Sequence, residues 1–194
     1  MTADTFRRDK YLRASGYNFY VWAIVNVLIL WPVWSAVEGR PWPDWLGLVY
    51  PFALIGIGLF LCGLNDNRVE KMVGPANADT VLDAGSLWGP VFLGGVAFSA
   101  VLATRGPAAL IQPLWLILVG AAYWVWGNFS VREFRWLGWT LILAGLATGL
   151  SMRLPDNVHL PSRGALAVWI LFMAALWVPF GAYINRKYVH SPLG

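Results

Sequence analysis

The chain has 194 residues, of which 58% are hydrophobic, 15% aromatic and only 12% charged. Soluble domains carry roughly 25% charged residues, so a water-soluble fold would be left with large apolar patches; the solvent this composition fits is lipid. The net charge of +4 comes from basic residues scattered between apolar runs, which argues against a nucleic-acid partner, since that would want them on one stripe.

Residues 1–16 are polar and carry Arg7, Arg8, Lys10 and Arg13; they read as a cytoplasmic lead-in. No small-residue cleavage site follows the first apolar run, so that run is expected to stay as an anchor. Two spans, 17–37 and 44–64, then form a transmembrane hairpin whose turn, EGRPWPDW, holds helix-stopping prolines and interfacial Trp. Residues 65–85 are a polar stretch broken by Gly74-Pro75, expected to be a cytoplasmic linker in which Asp79 caps a short helix. Four more spans are expected at 86–104, 107–127, 134–152 and 164–183, forming a four-helix unit over 86–184, with a cytoplasmic tail at 185–194. Each span is close to the ~20 residues that cross a ~30 Å hydrocarbon core. The fold class is all-α: a polytopic bundle of six transmembrane helices.

Six spans put both termini on one side. That side holds Arg7, Arg8, Lys10, Arg13, Arg68, Lys71, Arg132, Arg135, Arg186 and Lys187, ten of the fourteen basic residues, against Arg40, Arg105, Arg153 and Arg163 on the other. The positive-inside rule then places both ends in the cytoplasm of a bacterial-type inner membrane.

Most of the thirteen Trp residues fall near expected span ends and suit interfacial anchoring. Trp115, Trp169 and Trp177 fall deeper, where packing or an aromatic-lined pocket can use them, with Trp22 and Trp139 intermediate. Gly95, Ser99 and Ala103 recur every four residues in the third span, and Gly145 and Gly149 are four apart in the fifth. Small residues let helix backbones approach in lipid, so these spans are expected to pack closely, on each other or on a partner. Pro32 and Pro179 are expected to kink their helices.

Chemistry is sparse. No ionisable residue falls at membrane depth, where transport paths and proton relays usually show one. The mid-span polar candidates are Asn26, Gln112, Thr140 and Thr148; Asn26 must find a hydrogen-bond partner within the bundle. His159 and His190 lie outside the spans, so the chain offers no axial ligand for haem or chlorophyll at depth. No cofactor is expected, although a carotenoid or quinone, which needs no metal ligand, stays open. Cys62 stands alone, with neither disulfide nor metal partner. Ser86 in Gly85-Ser86-Leu87-Trp88-Gly89 is one place early for a nucleophile elbow. No metal site and no catalytic residue is expected.

The first hairpin carries Asn18, Trp22 and Asn26 at four-residue steps, then Trp42-Pro43, then Ile55-Gly56-Ile57-Gly58-Leu59 and Cys62. This resembles the bacterial 2TM domain, a two-helix membrane module found alone or attached to signalling proteins. The family's two histidines are replaced here by Asn18 and Cys62. The resemblance covers about a quarter of the chain and implies membrane signalling or interaction, with no catalysis.

The expected function is that of a non-catalytic accessory, scaffold or sensory subunit. Its partners would be the bilayer and other membrane proteins, or a second copy. Ligand or helix-contact candidates are Asn18, Trp22, Asn26, Cys62, Gln112, Trp115, Thr140 and Trp177. Two alternatives stand beside it: a small carrier for a neutral or aromatic solute, and a lipid-acting enzyme using His159 and Asp156.

Overall fold

The computed structural model describes residues 16–40, 42–73, 84–105, 107–151 and 163–189. Every element among the described residues is helical. In chain order they are α1 (Tyr17–Val37), α2 (Asp44–Val73), α3 (Ala84–Arg105), a single 3-10 turn (Ala108–Leu110), α4 (Ile111–Phe129) and α5 (Glu133–Ser151). A last run joins α6 (Arg163–Ile170), a π-helical turn (Leu171–Ala175), α7 (Trp177–Ile184) and a second π-helical turn (Asn185–Val189).

Among the described residues five helices are long and apolar enough to cross a membrane: Tyr17–Val37, Val49–Arg68, Leu87–Arg105, Ala108–Asn128 and Arg163–Lys187. The chain is a multi-pass membrane protein. The expected fifth span is present as the 19-residue α5, but it is not among these five. Its first turn carries Glu133 and Arg135, and Gly, Thr and Ser dilute the rest. Those small residues serve contact with a neighbouring helix, as described below.

Helix ends follow local chemistry. At the end of α1, Gly39 takes φ +75°. The Gly39 N–H donates to the Ala36 carbonyl (3.0 Å) and the Arg40 N–H to that of Ser35 (2.8 Å). This is the Schellman arrangement, in which only a left-handed residue lets the chain fold back onto the last turn. α2 continues past the expected boundary at Leu64 to Val73, so the start of the expected linker is helix. Its Arg68, Glu70, Lys71 and Met72 are good helix formers, and polarity alone changes where a helix is buried, not whether it forms. The rest of the linker, with Gly74-Pro75 and Asp79, lies outside the described residues. So do residues 1–15 of the lead-in and 190–194 of the tail. Pro32, Pro51 and Pro90 all sit inside continuous helices. Pro179 cannot donate to the carbonyl four residues back, at Ala175, and the π-helical turn Leu171–Ala175 ends at that residue.

The chain divides into two compact units, Met1–Thr80 with Met173–Gly194, and Val81–Phe172. The four-helix unit expected over 86–184 is therefore split within its last helix. The cause lies in the first unit, where α1 packs against both α2 and α7. Phe19 makes edge-to-face contacts with Trp177 (5.7 Å between ring centres) and Phe180 (5.0 Å). Such pairs add about 0.5–1.5 kcal/mol each beyond their buried area. Gly16 and Gly181 bring the two backbones together, and a Cβ on Gly16 would overlap the Gly181 carbonyl.

The second unit is centred on α4. On one side α4 and α5 form a hairpin closed by glycine along its length. A Cβ on Gly120 would meet the Gly138 carbonyl oxygen at 2.7 Å, and one on Gly127 would meet the Arg135 backbone nitrogen at 2.5 Å. A Cβ on Gly145 would meet the Pro113 carbonyl oxygen at 2.8 Å. On another side α4 meets α3: Gly95 lies against the Trp115 ring, whose N–H donates to Ser99 Oγ (2.9 Å). The small-residue seams of the third and fifth spans thus close on the fourth. Ala103 is exposed and takes no part. Trp88, Tyr123, Trp126 and Phe134 join in edge-to-face contacts 5.2–6.0 Å apart.

Candidate functional site

A buried polar group is informative in a helix bundle, because lipid offers it no substitute for water. Among the described residues the buried polar side chains are Asn26, Gln112, Thr148 and Asn185. Three of them are satisfied. The Asn26 amide donates back to the Trp22 carbonyl within α1 (2.8 Å), and the Thr148 hydroxyl donates to the Ala144 carbonyl within α5 (2.7 Å). Asn185 Oδ1 accepts from the Gly16 N–H (2.8 Å), which meets one of the N–H groups left open at the start of α1.

Gln112 differs. It is 8% exposed, and neither its Nε2 nor its Oε1 has a hydrogen-bond partner. It lies in the second unit, on the stripe of α4 that it shares with Leu116, Val119 and Tyr123, all buried. Spacings of four, three and four residues put these on one face of a helix. The buried stripe of α5 (Leu137, Leu141, Ala144, Thr148) and the buried α6 residues Ala165, Leu166 and Trp169 complete the core of this unit, and α6 touches both α4 and α5. The Trp169 indole N–H is likewise buried without a hydrogen-bond partner.

Gln112 and Thr148 share an end of the α4–α5 hairpin. Gly149 faces Pro113 while Gly127 faces Arg135, so α4 and α5 run antiparallel and Thr148 stands level with the second residue after Gln112. Gln112 therefore offers two amide N–H groups and one amide oxygen without partners, with Thr148 nearby in depth on α5. Among the described residues none of these positions is charged. Compared with family models, with curated proteins and with solved structures, the chain matches nothing. Chemistry and geometry alone therefore carry the functional reading.

The other sequence-chosen residues lie elsewhere. Asn18 is a polar node near the start of α1: its amide donates to Asp66 (3.2 Å) and its Oδ1 accepts from Asn65 (3.0 Å), both on α2. Trp22 donates to the buried Cys62 sulfur across the same hairpin. Trp177 is buried against Phe19. Thr140 is exposed and bonds to the Trp136 carbonyl (2.8 Å), so it is not part of the Gln112 end. His159 and Asp156 lie outside the described residues. Among the described residues no three His, Cys, Asp or Glu side chains gather as a metal site would need.

Sequence reasoning missed Asn185. The sequence places it in a polar tail, whereas it is 5% exposed and belongs to the α1–α7 contact. A signal was present: Asn185 follows Gly181 by four residues, which puts the two on one helix face.

Proposed function

We propose that this protein is a non-catalytic integral membrane subunit, acting as accessory, scaffold or sensor, and that α2 and α3 carry its contact surfaces for another membrane protein. The observation behind this reading is a division among the glycines. Those of α4 and α5 meet a neighbouring helix at 2.5–2.8 Å from where a Cβ would stand, apart from the looser Gly149. Gly58 on α2 and Gly95 on α3 are likewise closed, on Val25 and Trp115, but Gly56 and Gly63 on α2, and Gly89 and Gly94 on α3, have no described residue within 4 Å. Burial divides the same way: 11% of Val49–Arg68 and 6% of Leu87–Arg105 is buried, against 44% of Ala108–Asn128. Glycine on a lipid-facing surface leaves a dent that acyl chains fill poorly, whereas a second helix fills it well. The 2TM-like character of the first hairpin belongs with this reading. So does a bacterial inner-membrane location with both termini in the cytoplasm, for which the balance of basic residues speaks.

Photo-crosslinking in the native membrane tests it. A crosslinking residue at Phe60 on α2 or Leu93 on α3, 64% and 76% exposed, should capture one discrete protein at each site. Capture of lipid alone at both would end the reading. A second reading, a carrier for a neutral solute, draws on the Gln112 amide; solute uptake into vesicles that is lost in Gln112→Leu would favour it.

A further inference from the structure

The outer face of the α4–α5 hairpin carries an inference that does not depend on the contact surfaces of α2 and α3. On α5, Arg135, Trp139 and Leu143 follow at four-residue steps and so share one helix face. Trp136 lies beside them, and Arg132 stands in the turn just before the helix. All five are exposed, Trp136 to 65% and Leu143 to 59%. From the turn inward the stripe passes from guanidinium to indole to alkyl.

Two of these side chains are held by α4. The Arg135 Cγ lies 2.5 Å from where a Cβ on Gly127 would stand, so the bare glycine makes room for the arginine stem at the seam between the helices. Further in, the Trp139 ring meets the exposed Trp124 ring edge-on, with 6.2 Å between centres. The charge of the two arginines is not balanced locally. Glu133, between them in sequence, has a buried carboxylate oxygen, and among the described residues neither Arg132 nor Arg135 has an ion-pair partner.

Depth then decides what fits. Arg135, Trp139 and Leu143 are spaced about 6 Å apart along the axis, and the headgroup layer on each side of a bilayer is about 6 Å deep. With Arg135 level with the lipid phosphates, Trp139 stands at the ester level, where indoles are favoured, and Leu143 among the acyl chains. A guanidinium can hold two oxygens of one phosphate. A soluble anion would leave the exposed Trp and Leu without a counterpart. A zwitterionic headgroup would bring its own cation against two unbalanced guanidinium groups.

We infer that this seam binds one anionic phospholipid. Arg135 and Arg132 hold the phosphate, the Trp139 indole N–H donates to an ester oxygen, and an acyl chain runs along Trp124 and Leu143. Binding is reversible and involves no covalent step.

The test titrates the full-length protein in mild detergent with dioleoyl phosphatidylglycerol or dioleoyl phosphatidylcholine and counts bound lipid by native mass spectrometry. One phosphatidylglycerol should bind about tenfold more tightly than phosphatidylcholine. The double variant Arg132→Gln, Arg135→Gln should bring the two lipids level, whereas Arg186→Gln with Lys187→Gln, in the other unit, should keep the preference. The place is read from the nitrogen-15 indole signal of Trp139, assigned by its disappearance in Trp139→Phe. That signal should shift and saturate with phosphatidylglycerol in the wild type and not in the arginine variant. Should the arginine double variant fail to fold, Arg132→Gln alone, in the exposed turn, should lower the preference by about twofold or more, and an unchanged preference there counts against the site. Equal affinity for the two lipids, a preference that survives loss of both arginines, or an unmoved Trp139 signal overturns the proposal. The same saturating shift with inorganic phosphate alone also overturns it and leaves a site for a free anion.

Discussion

The glycines of the α4–α5 hairpin and four of those on α2 and α3 stand in opposite surroundings, while Gly58 on α2 and Gly95 on α3 are closed on Val25 and Trp115. In the hairpin, Gly120, Gly127, Gly138 and Gly145 each stand where a Cβ would run into the facing helix. On α2 and α3, Gly56, Gly63, Gly89 and Gly94 face open space. A glycine in a helix interior costs about 1 kcal/mol relative to alanine. In the hairpin that cost is offset by close backbone approach and the dispersion it brings. On α2 and α3 no described residue of the same unit offsets it at these four positions. The difference teaches that a glycine in a membrane helix has to be judged by what faces it: closed ones bring two backbones together, and the open ones are where the proposed partner is expected.

The sharpest way to break this comparison is to fill a closed glycine. In Gly138→Ala the added carbon would meet the Trp124 backbone nitrogen at 2.5 Å and the Gly120 carbonyl oxygen at 2.6 Å. Backbone cannot move aside as a side chain can, so the hairpin must separate. The expected loss is about 3 kcal/mol, at the upper end of overpacking costs, read as an earlier unfolding midpoint in mixed micelles. Unchanged stability would mean that the hairpin is not closed as described.

Next in size is Asn185→Ala, which removes the acceptor of the buried Gly16 N–H and should cost about 1–2 kcal/mol. Amide hydrogen exchange at the start of α1 should rise with it, and unaltered exchange there would contradict the contact. Ser99→Ala takes the acceptor from the Trp115 indole and should cost about 0.6 kcal/mol, the mean for side-chain hydrogen bonds between membrane helices. A loss several times larger would assign Ser99 more than a packing role. The smallest effect on the isolated chain is expected from Gly56→Leu. Its side chain enters open space and replaces a poor helix former, so unfolding of the purified protein should change by less than about 0.5 kcal/mol or shift to higher stability.

Where the helices would be was legible in the sequence, because apolar runs of membrane length leave few alternatives. How they pair was less so. Gly145 and Gly149 at four-residue spacing announced a close contact, but spacing carries no address: the facing surface is Pro113, Leu116 and Ile117 of α4, which no local pattern distinguishes from other apolar turns. The division of the last helix was hidden for the same reason. Trp177 and Phe180 read as further apolar residues until Phe19, more than 150 positions away, is set against them. The polarity of 65–73 suggests a linker, whereas its residues favour helix and α2 runs on to Val73. Of the candidate site, Gln112 was visible as a polar residue inside a span. What the sequence could not show is that Asn26 and Thr148 satisfy themselves within their own helices and Gln112 does not.

The claim on which the functional account rests is that the open glycines meet another membrane protein. It is tested most directly by the native mass of the tagged protein extracted from its own membrane in mild detergent, for the wild type and for the double variant Gly56→Leu, Gly63→Leu. The account predicts a stoichiometric complex larger than the chain itself for the wild type, and a return to the lone chain for the variant with unfolding stability unchanged. The same mass for both would contradict it.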